Sequence, residues 1–320
     1  MRMFLGAVAA VSIVGAAACS PHYVRSRPLD LGRIVAPAPS LTRNVLLVSI
    51  DGLRPDAIDR FGAATLQRLI SEGSYSLSAR TIMPSTTLPS HTSMLSGERP
   101  DEHGVSWNNV TSAKRDVVAF PTLFSVAREH GYETAAFFSK AKFSPLQRPG
   151  TLDYSQAPGG WFGKWSSGRT VGDVRAHLEA HTPNVLFVHL SDPDSAGHGS
   201  GWMSEAYGRA VRDADAALGQ LLASADTAYG AGNYSVIVTA DHGGHEYGHG
   251  TADPRDVTIP WIAWGRGVQA GALHDEDIET IDTAPTVLWL LGVQYPSEWD
   301  GDAVTAAFEE RRELQPAVAD

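Results

Sequence analysis

Two segments of the chain combine aspartate and histidine at close spacing. The candidates are Asp194 and His198 in DPDSAGHGSG, and Asp241, His242, His245 and His249 in ADHGGHEYGHG. Carboxylate oxygens and imidazole nitrogens without thiolates suit zinc in a hydrolytic site. A single histidine is more often a surface or core residue, but grouped carboxylates repel one another unless a cation joins them. The pattern therefore predicts a metal site built from both segments.

The metal candidates follow runs that are typical of buried strands. Four apolar, β-branched runs cover Asn44–Ile50, Glu133–Ser139, Asn184–Leu190 and Tyr234–Ala240, and helix-like segments cover Ala63–Glu72, Pro121–His130, Trp202–Ser224 and Thr283–Leu291. This alternation predicts an α/β fold with an open, mainly parallel sheet flanked by helices. Such sheets bind ligands beyond the carboxyl ends of their strands. Because Asp51, Lys140, Asp194 and Asp241 each follow a predicted strand, we expect all four at that edge.

Length and composition favour one large domain with a buried core. The chain has 320 residues, 43% of them hydrophobic, and a formal net charge of -11. This length suits a single catalytic domain over residues 43–320. The acidic balance argues against a nucleic-acid polymer as partner, because such a partner requires a basic face. It does not exclude a small phosphorylated substrate, because local cations can dominate a site.

The first residues have the pattern of an export signal. Arg2 precedes the short apolar run Phe4–Val14, and three alanines lead to Cys19. The run is too short for a membrane span, so residues 1–18 are interpreted as a signal peptide. The Ala-Ala-Ala-Cys end resembles a bacterial lipobox. This implies a lipidated Cys19, a tether over residues 19–42, and a periplasmic protein anchored to the outer membrane through that lipid only. The alternative is an ordinary cleaved signal with an incidental cysteine.

Five motifs resemble the alkaline phosphatase superfamily, and within it the nucleotide pyrophosphatase/phosphodiesterase branch. They are VSIDGLRPD, MPSTTLPSHTSMLSGERPDEHGV, DPDSAGH, TADHGG and GHGTADP, in the family's order. The resemblance implies an alkaline phosphatase-like fold with a minimal cap, and a phosphate-ester hydrolase with two zinc ions. The zinc ligands that it implies are Asp51, Asp241 and His242 for one ion, and Asp194, His198 and His249 for the other. The neighbouring Asp192 and His245 are not matched as ligands.

The same resemblance implies that Thr87, in TLPSH, is both the nucleophile and a zinc ligand, and that it forms a phosphothreonine intermediate. Thr86 takes this role if the loop is shifted by one residue, and a turn residue is the plain alternative. Asn108 falls where the family places a donor to a phosphoryl oxygen. A threonine hydroxyl is a poor nucleophile until a metal lowers its pKa. We expect a helix over His91–Leu95 whose amino terminus favours a phosphate.

The family pattern breaks at two positions that contact a nucleotide base. An aromatic residue is usual directly after the nucleophile and shortly before the metal aspartate, but this chain has Leu88 and His189 there. Because base stacking contributes to nucleotide affinity, both changes argue against a nucleotide preference. A long loop is predicted over residues 143–170, and its Trp161, Phe162 and Trp165 either supply another stacking platform or pack into the core.

Lys140 and Lys142 follow a predicted strand in the sequence SKAKF. Similar pairs in phosphomonoesterase and phosphonate-hydrolase relatives neutralise phosphoryl charge, so the resemblance implies a catalytic role for both lysines. A monoester dianion needs more positive charge than a diester monoanion. A phosphomonoesterase or a phosphonate hydrolase is therefore the alternative function, and a solvated basic turn is the alternative structural interpretation.

Three other classes are weighed against this interpretation. A sulfatase needs cysteine or serine at the nucleophile position, and a phosphoglycerate mutase-like enzyme normally uses serine and manganese, so the threonine argues against both. A metal-stabilised, lipid-anchored binding protein is the alternative from a different class. It predicts zinc sites with no open coordination position.

Overall fold

The structure is a computed structural model that describes residues 39–109, 120–148, 150–160 and 163–310. The predicted signal peptide, Cys19 and most of the predicted tether lie outside the described residues, and so do Trp161 and Phe162. Within the described residues, no helix combines the length and the apolar character that crossing a membrane requires.

One mixed sheet of eight strands forms the centre of the described part of the chain. In chain order the strands are β1 Val45–Ile50, β2 Ser74–Arg80, β3 Thr134–Phe137, β4 Tyr154–Gln156, β5 Val185–Leu190, β6 Ser235–Thr239, β7 Thr258–Gly265 and β8 Gly271–Ala272. Their spatial order is β4-β3-β5-β1-β6-β7-β2-β8. The first five strands in this order run parallel, β7 is antiparallel to both of its neighbours, and β8 is parallel to β2. The predicted α/β fold with a mainly parallel sheet is confirmed.

Helices connect the strands along the chain. In the described residues they are α1 Pro55–Arg60, α2 Ala64–Glu72, α3 Thr87–Ser96, α4 Pro100–His103, α5 Leu123–Glu129, α6 Ser167–Leu178, α7 Asp192–Ser200, α8 Glu205–Tyr229, α9 Pro254–Val257 and α10 Thr283–Leu290. Short 3-10 turns cover Ala141–Leu146, Thr280–Asp282 and Thr305–Ala307. The four predicted helices correspond to α2, α5, α8 and α10, with ends that differ by a few residues.

The four predicted strands are neighbours in the sheet, in the order β3-β5-β1-β6. Every residue of β1, β3, β5 and β6 is buried, which explains why these strands are continuous apolar runs in the sequence. Because adjacent parallel strands end at one edge, the residues that follow them are brought together there. This arrangement positions the candidate site.

Two parts of the sequence prediction are wrong. The helix expected over His91–Leu95 is α3, which begins four residues earlier, at Thr87. Pro89 is tolerated because the N–H groups of a first helical turn have no partner within the helix. The long loop predicted over residues 143–170 contains the edge strand β4, part of a 3-10 turn and the start of α6.

Candidate functional site

Three buried aspartates meet at the carboxyl edge of the sheet. Asp51 follows β1, Asp194 lies in the first turn of α7 after β5, and Asp241 follows β6. At most 2% of each residue is exposed. Gly52 allows the close approach, because its φ of 73° suits glycine and an added Cβ would lie 2.9 Å from the Asp194 Cα. Without a neighbouring cation, such a group of carboxylates would be strongly unfavourable.

One oxygen of each aspartate is held by the protein. Asp51 Oδ2 accepts from Lys140 Nζ at 2.6 Å and from His189 Nε2 at 2.9 Å. Asp194 Oδ2 accepts from the same lysine at 2.5 Å. Asp241 Oδ1 accepts from the backbone N–H groups of Gly52 and His242, both at 3.1 Å.

The other oxygen of each aspartate is buried and has no hydrogen-bond partner. These atoms are Asp51 Oδ1, Asp194 Oδ1 and Asp241 Oδ2. Each faces an imidazole nitrogen. His242 Nε2 lies 3.5 Å from the free Asp51 oxygen and 3.2 Å from that of Asp241. The nearest imidazole nitrogens to the free Asp194 oxygen are His198 Nε2 at 3.3 Å and His249 Nε2 at 3.6 Å.

The three histidines present their Nε2 atoms to the carboxylates because their Nδ1 atoms are already used. Nδ1–H donates to a backbone carbonyl in each case: His198 to Tyr247, His249 to Ser85, and His242 to Gly243. This hydrogen bond assigns the tautomer and leaves the Nε2 lone pair free, as in metal-binding histidines.

The protonation states also favour a cation. Burial lowers the pKa of His242 to about 3 and lowers the pKa of His249, so both imidazoles are neutral at pH 7 and Nε2 carries no proton. The interaction of its Nε2 with Asp194 Oδ1, 3.3 Å away, raises the pKa of His198. Burial and the negative Asp51 raise the pKa of Asp241, although Lys140 acts in the opposite direction. The pKa values of Asp51 and Asp194 are lowered, so these two ionised carboxylates face the lone pairs of neutral imidazoles, and a divalent cation between them would satisfy both.

The described residues contain two groups of three potential metal ligands, and within each group the ligand atoms lie within 4.8 Å of one another. The first comprises Asp194, His198 and His249, and the second comprises Asp51, Asp194 and His242. Asp241 borders the second group through its free oxygen. The six aspartate and histidine residues among the predicted metal ligands are thus brought together. The predicted non-ligands lie elsewhere: Asp192 accepts from Ser167 N, and His245 donates to Asp256.

Thr87 is the hydroxyl residue that faces this cluster. It is the first residue of α3, is 1% exposed, and its Oγ1 lies 3.4 Å from His242 Nε2. Thr86 is the N-cap residue in an extended conformation, and its methyl group lies beside Gly250. The geometry therefore favours Thr87 over Thr86 as the candidate nucleophile.

A cavity of about 250 Å³ opens beside Thr87. Its lining includes Asn108, Lys142 and Lys164. Asn108 Oδ1 accepts from the N–H of Leu88 at 3.0 Å and from Lys142 Nζ at 3.1 Å. Because the carbonyl oxygen is used in this way, the amide N–H groups of Asn108 are left to donate into the cavity.

Lys140 and Lys142 lie in different environments. Lys140 is 3% exposed and joins Asp51 to Asp194, so the solvated-turn interpretation is wrong for this residue. Burial lowers its pKa, but the two carboxylates outweigh burial and raise the pKa above its usual value. In contrast, burial and the neighbouring Lys140 lower the pKa of Lys142.

Two histidines that the sequence interpretation did not assign support the site. His189, on β5, donates from Nε2 to Asp51 and accepts at Nδ1 from the Ser139 hydroxyl at 2.8 Å. His91 donates from Nδ1 to the backbone carbonyl of Thr87 at 2.7 Å. A histidine in a wholly apolar strand was the available signal for His189. Because His189 and Leu88 are fully buried, neither can stack on a base.

The chain is similar to known proteins both in sequence and in fold. The family model for type I phosphodiesterase / nucleotide pyrophosphatase matches residues 45–253. GPI ethanolamine phosphate transferase 1 of Gibberella zeae is 25% identical over 309 residues, which cover 82% of this chain but only 31% of that protein. The chain thus spans about a third of the length of this curated relative.

Solved structures share the fold. An inactive variant of murine ectonucleotide pyrophosphatase/phosphodiesterase 5, in complex with AMP, matches with a TM-score of 0.70 and 15% identity over 83% of this chain and 100% of that chain. A 2-O GAG sulfatase matches with a TM-score of 0.68 and 17% identity over 86% of this chain and 76% of that chain. These matches show the alkaline phosphatase-like fold.

Proposed function

The chain belongs to the type I phosphodiesterase / nucleotide pyrophosphatase family, and from that premise we propose that it is a two-zinc phosphate-ester hydrolase with Thr87 as nucleophile. One observation carries the proposal. Thr87 is the first residue of α3, and its hydroxyl faces Nε2 of His242. This histidine belongs to a cluster in which three buried carboxylates each have one oxygen without a hydrogen-bond partner. A structural metal site does not require a buried hydroxyl beside it.

The residues that would hold the metals are those already brought together. Asp194, His198 and His249 would bind one ion, and Asp51, Asp241 and His242 the other. When bound, the ions supply Lewis-acid stabilisation of charged oxygens and lower the pKa of a neighbouring hydroxyl. Lys140 links the two ligand sets, since it contacts one aspartate of each.

The chain's own groups define two displacement steps. Thr87 Oγ1 loses its proton and forms a bond to phosphorus while the bond from phosphorus to the leaving oxygen breaks; that oxygen takes up a proton, which gives a phosphothreonine and an alcohol. Water then loses a proton and attacks phosphorus while the bond to Thr87 Oγ1 breaks; Thr87 regains its proton, and phosphate or a phosphate monoester is released. Asn108 donates from its amide to a phosphoryl oxygen, and Lys142 adds positive charge at the same wall of the cavity.

Phosphoryl-group transfer is the second candidate, because the curated relative is named as an ethanolamine phosphate transferase. The first step is the same, and an alcohol replaces water in the second. A phosphomonoesterase or a phosphonate hydrolase is a further alternative on the same site. The amino-terminal pattern supports our additional proposal that the protein is exported to the periplasm and anchored by a lipid on Cys19.

The test compares Thr87→Ala with Thr86→Ala on bis-p-nitrophenyl phosphate and p-nitrophenyl phosphate. We expect Thr87→Ala to lose at least about a thousandfold in kcat, because the nucleophile is absent, while its zinc content stays close to that of the wild type. Thr86→Ala should keep most of its activity, and a chelator should abolish turnover in both active proteins.

Three outcomes would change the proposal. Activity retained in Thr87→Ala moves the nucleophile elsewhere. No chelator-sensitive turnover on either ester favours a metal-stabilised binding protein. A phosphate ester of an added alcohol, formed at the expense of phosphate, favours the transferase.

A further inference from the structure

Lysine is concentrated around one cavity. The sequence has four lysines and 21 arginines. Three of the four lysines, Lys140, Lys142 and Lys164, line the cavity beside Thr87. The lysine ammonium is a compact, strongly hydrated point charge. The arginine guanidinium is planar and rigid, and it binds a carboxylate or phosphate through two parallel hydrogen bonds. The cavity therefore has three lysine charges on its wall. Only the charge of Lys140 has a role in the candidate metal site, where it pairs with Asp51 and Asp194.

Backbone pairing places Lys164 opposite Lys140. The two residues form an antiparallel bridge, flanked by hydrogen bonds from Ala141 N to Gly163 O at 3.0 Å and from Trp165 N to Ser139 O at 2.9 Å. Directly opposite residues in an antiparallel pair project to the same side. The position of Lys164 is thus set by main-chain pairing, although its side chain is long and exposed.

Lys142 and Lys164 form no ion pair within the described part of the chain. Among the described residues, no carboxylate oxygen lies within 4 Å of either ammonium group. Lys142 Nζ contacts Asn108 Oδ1, and Lys164 Nζ lies 3.5 Å from Ser195 Oγ. Lys140 is itself neutralised by Asp51 and Asp194. Lys142 and Lys164 are therefore the lysines of this cavity whose hydrogen bonds, within the described residues, are to uncharged groups, which leaves their charges available to an anion.

We propose that Lys142 and Lys164 form a subsite for a second negative charge on the substrate, beyond the single charge of a phosphodiester. The proposal rests on the proposed function, since the phosphoryl group is placed at Thr87. It names the substrate class: small phosphate esters that carry an additional anionic charge, either on the phosphoryl group itself or on a nearby carboxylate.

The size of the cavity supports a small substrate. Its volume of about 250 Å³ lies below the roughly 300–1,000 Å³ that is typical of sites for drug-sized ligands. A phosphoryl group and a few further atoms fit this space, whereas a base and ribose would project beyond it. Together with the buried Leu88 and His189, the volume favours a compact anion over a nucleotide.

The experiment measures binding by calorimetry to the full-length, zinc-loaded protein at pH 8. Three ligands of similar size carry increasing charge: dimethyl phosphate, ethyl phosphate and phosphoglycolate. The variants are Lys164→Met and Lys142→Met, with Arg209→Met as a control that removes an exposed positive charge outside the cavity. Lys164→Arg tests rescue, and thermal unfolding verifies that each variant is folded.

In the wild type we expect affinity to rise with ligand charge. Lys164→Met should weaken binding of the most favoured ligand roughly tenfold more than binding of dimethyl phosphate, because one charge contact is lost. Lys164→Arg should restore part of this difference, and Arg209→Met should leave it intact. A preference that begins at ethyl phosphate places the second charge on the phosphoryl group, and one that begins at phosphoglycolate places it on a carboxylate.

Equal losses for all three ligands in Lys164→Met, or no dependence of wild-type affinity on ligand charge, would overturn the subsite. The binding assay does not depend on turnover. Charge-dependent binding in a protein that hydrolyses no phosphate ester would therefore overturn the proposed function and leave the subsite standing. Hydrolysis of phosphate esters without charge-dependent binding would overturn the subsite and leave the proposed function standing.

Discussion

At the scale of single residues, the site depends on the different partners of the two carboxylate oxygens in each aspartate. Lys140 holds one oxygen of Asp51 and one of Asp194, and backbone N–H groups hold one oxygen of Asp241. The remaining oxygen of each is free, buried and directed at an imidazole. Lys140 thus fixes the carboxylate orientations, while Lys142 faces the cavity.

This difference between the two lysines can be measured as stability. After metal removal with a chelator, Lys140→Met should lower the free energy of unfolding by about 3–5 kcal/mol, because two buried carboxylates lose their charged partner. Lys142→Met should change it by less than about 1 kcal/mol, since Lys142 forms no ion pair with a carboxylate in the described part of the chain. Urea unfolding of the chelated proteins provides the measurement. Equal effects of the two substitutions would show that Lys140 does not act through these aspartates.

At the scale of elements, α3 links the candidate nucleophile to the core. All ten residues of this helix are buried, and its polar side chains are bonded, for example Ser90 Oγ to the backbone carbonyl of Asp241 at 2.7 Å. The helix ends at Gly97, which has a φ of 70° and donates its N–H to Ser93 O. Trp299 packs directly against this glycine.

Gly97→Ala should therefore be more harmful than an ordinary glycine substitution. An added Cβ would lie 2.5 Å from Trp299 Cε3, so the left-handed backbone and the steric clash should together lower the free energy of unfolding by roughly 3 kcal/mol or more. Gly104→Ala is the matched control, because Gly104 has a φ of 73° and no atom within 4 Å of the added Cβ.

For Gly104→Ala we expect a loss of about 1 kcal/mol, from the backbone conformation alone. Denaturant unfolding of both variants separates the two contributions. If both substitutions lower the free energy of unfolding equally, the close contact between Gly97 and Trp299 does not add to the cost of Gly97→Ala.

At the scale of the whole molecule, the segment that contains Asp300 and Gly301 packs against the loop that follows α3. Gly301 N donates to Gly97 O at 3.0 Å, and Arg99 N donates to Asp300 Oδ2 at 2.7 Å. This packing buries Glu98. Burial raises the pKa of Glu98 to about 7, and the negative charges of Asp300, Glu298 and Glu102 contribute.

Because the pKa of Glu98 is higher in the folded state, ionising it opposes folding. The folded protein binds more protons than the unfolded chain between about pH 4.5 and pH 7, so this group lowers stability as pH rises through that range. Glu98→Gln should raise the free energy of unfolding by about 1–2 kcal/mol at pH 8, and by clearly less at pH 5.

Denaturant unfolding of wild type and variant at both pH values measures this difference. Glu276→Gln serves as the control, because this residue is exposed and its charge does not contribute to the raised pKa of Glu98. A gain from Glu98→Gln that is as large at pH 5 as at pH 8 would contradict the raised pKa.

The sequence by itself determined four of the five strands in the parallel part of the sheet, β3, β5, β1 and β6, and the residues that follow them. Strands buried on both faces must be continuous apolar runs, and a parallel sheet must place their carboxyl ends at one edge. Asp51, Asp194 and Asp241 could therefore be assigned to one site. The antiparallel half was not predicted, because β2 has mixed polarity and β7 contains Pro260, which argues against a central strand.

Only the tertiary structure decided which groups form hydrogen bonds and ion pairs with these residues. Lys140 contacts two aspartates that lie 89 and 54 residues away, and no local pattern specifies such a contact. Likewise, the start of α3 at Thr87 and the pairing of Lys164 with Lys140 depend on neighbours that are distant in sequence or on main-chain geometry. Periodicity records which residues are buried, whereas the partner of each buried charge is set by three-dimensional packing.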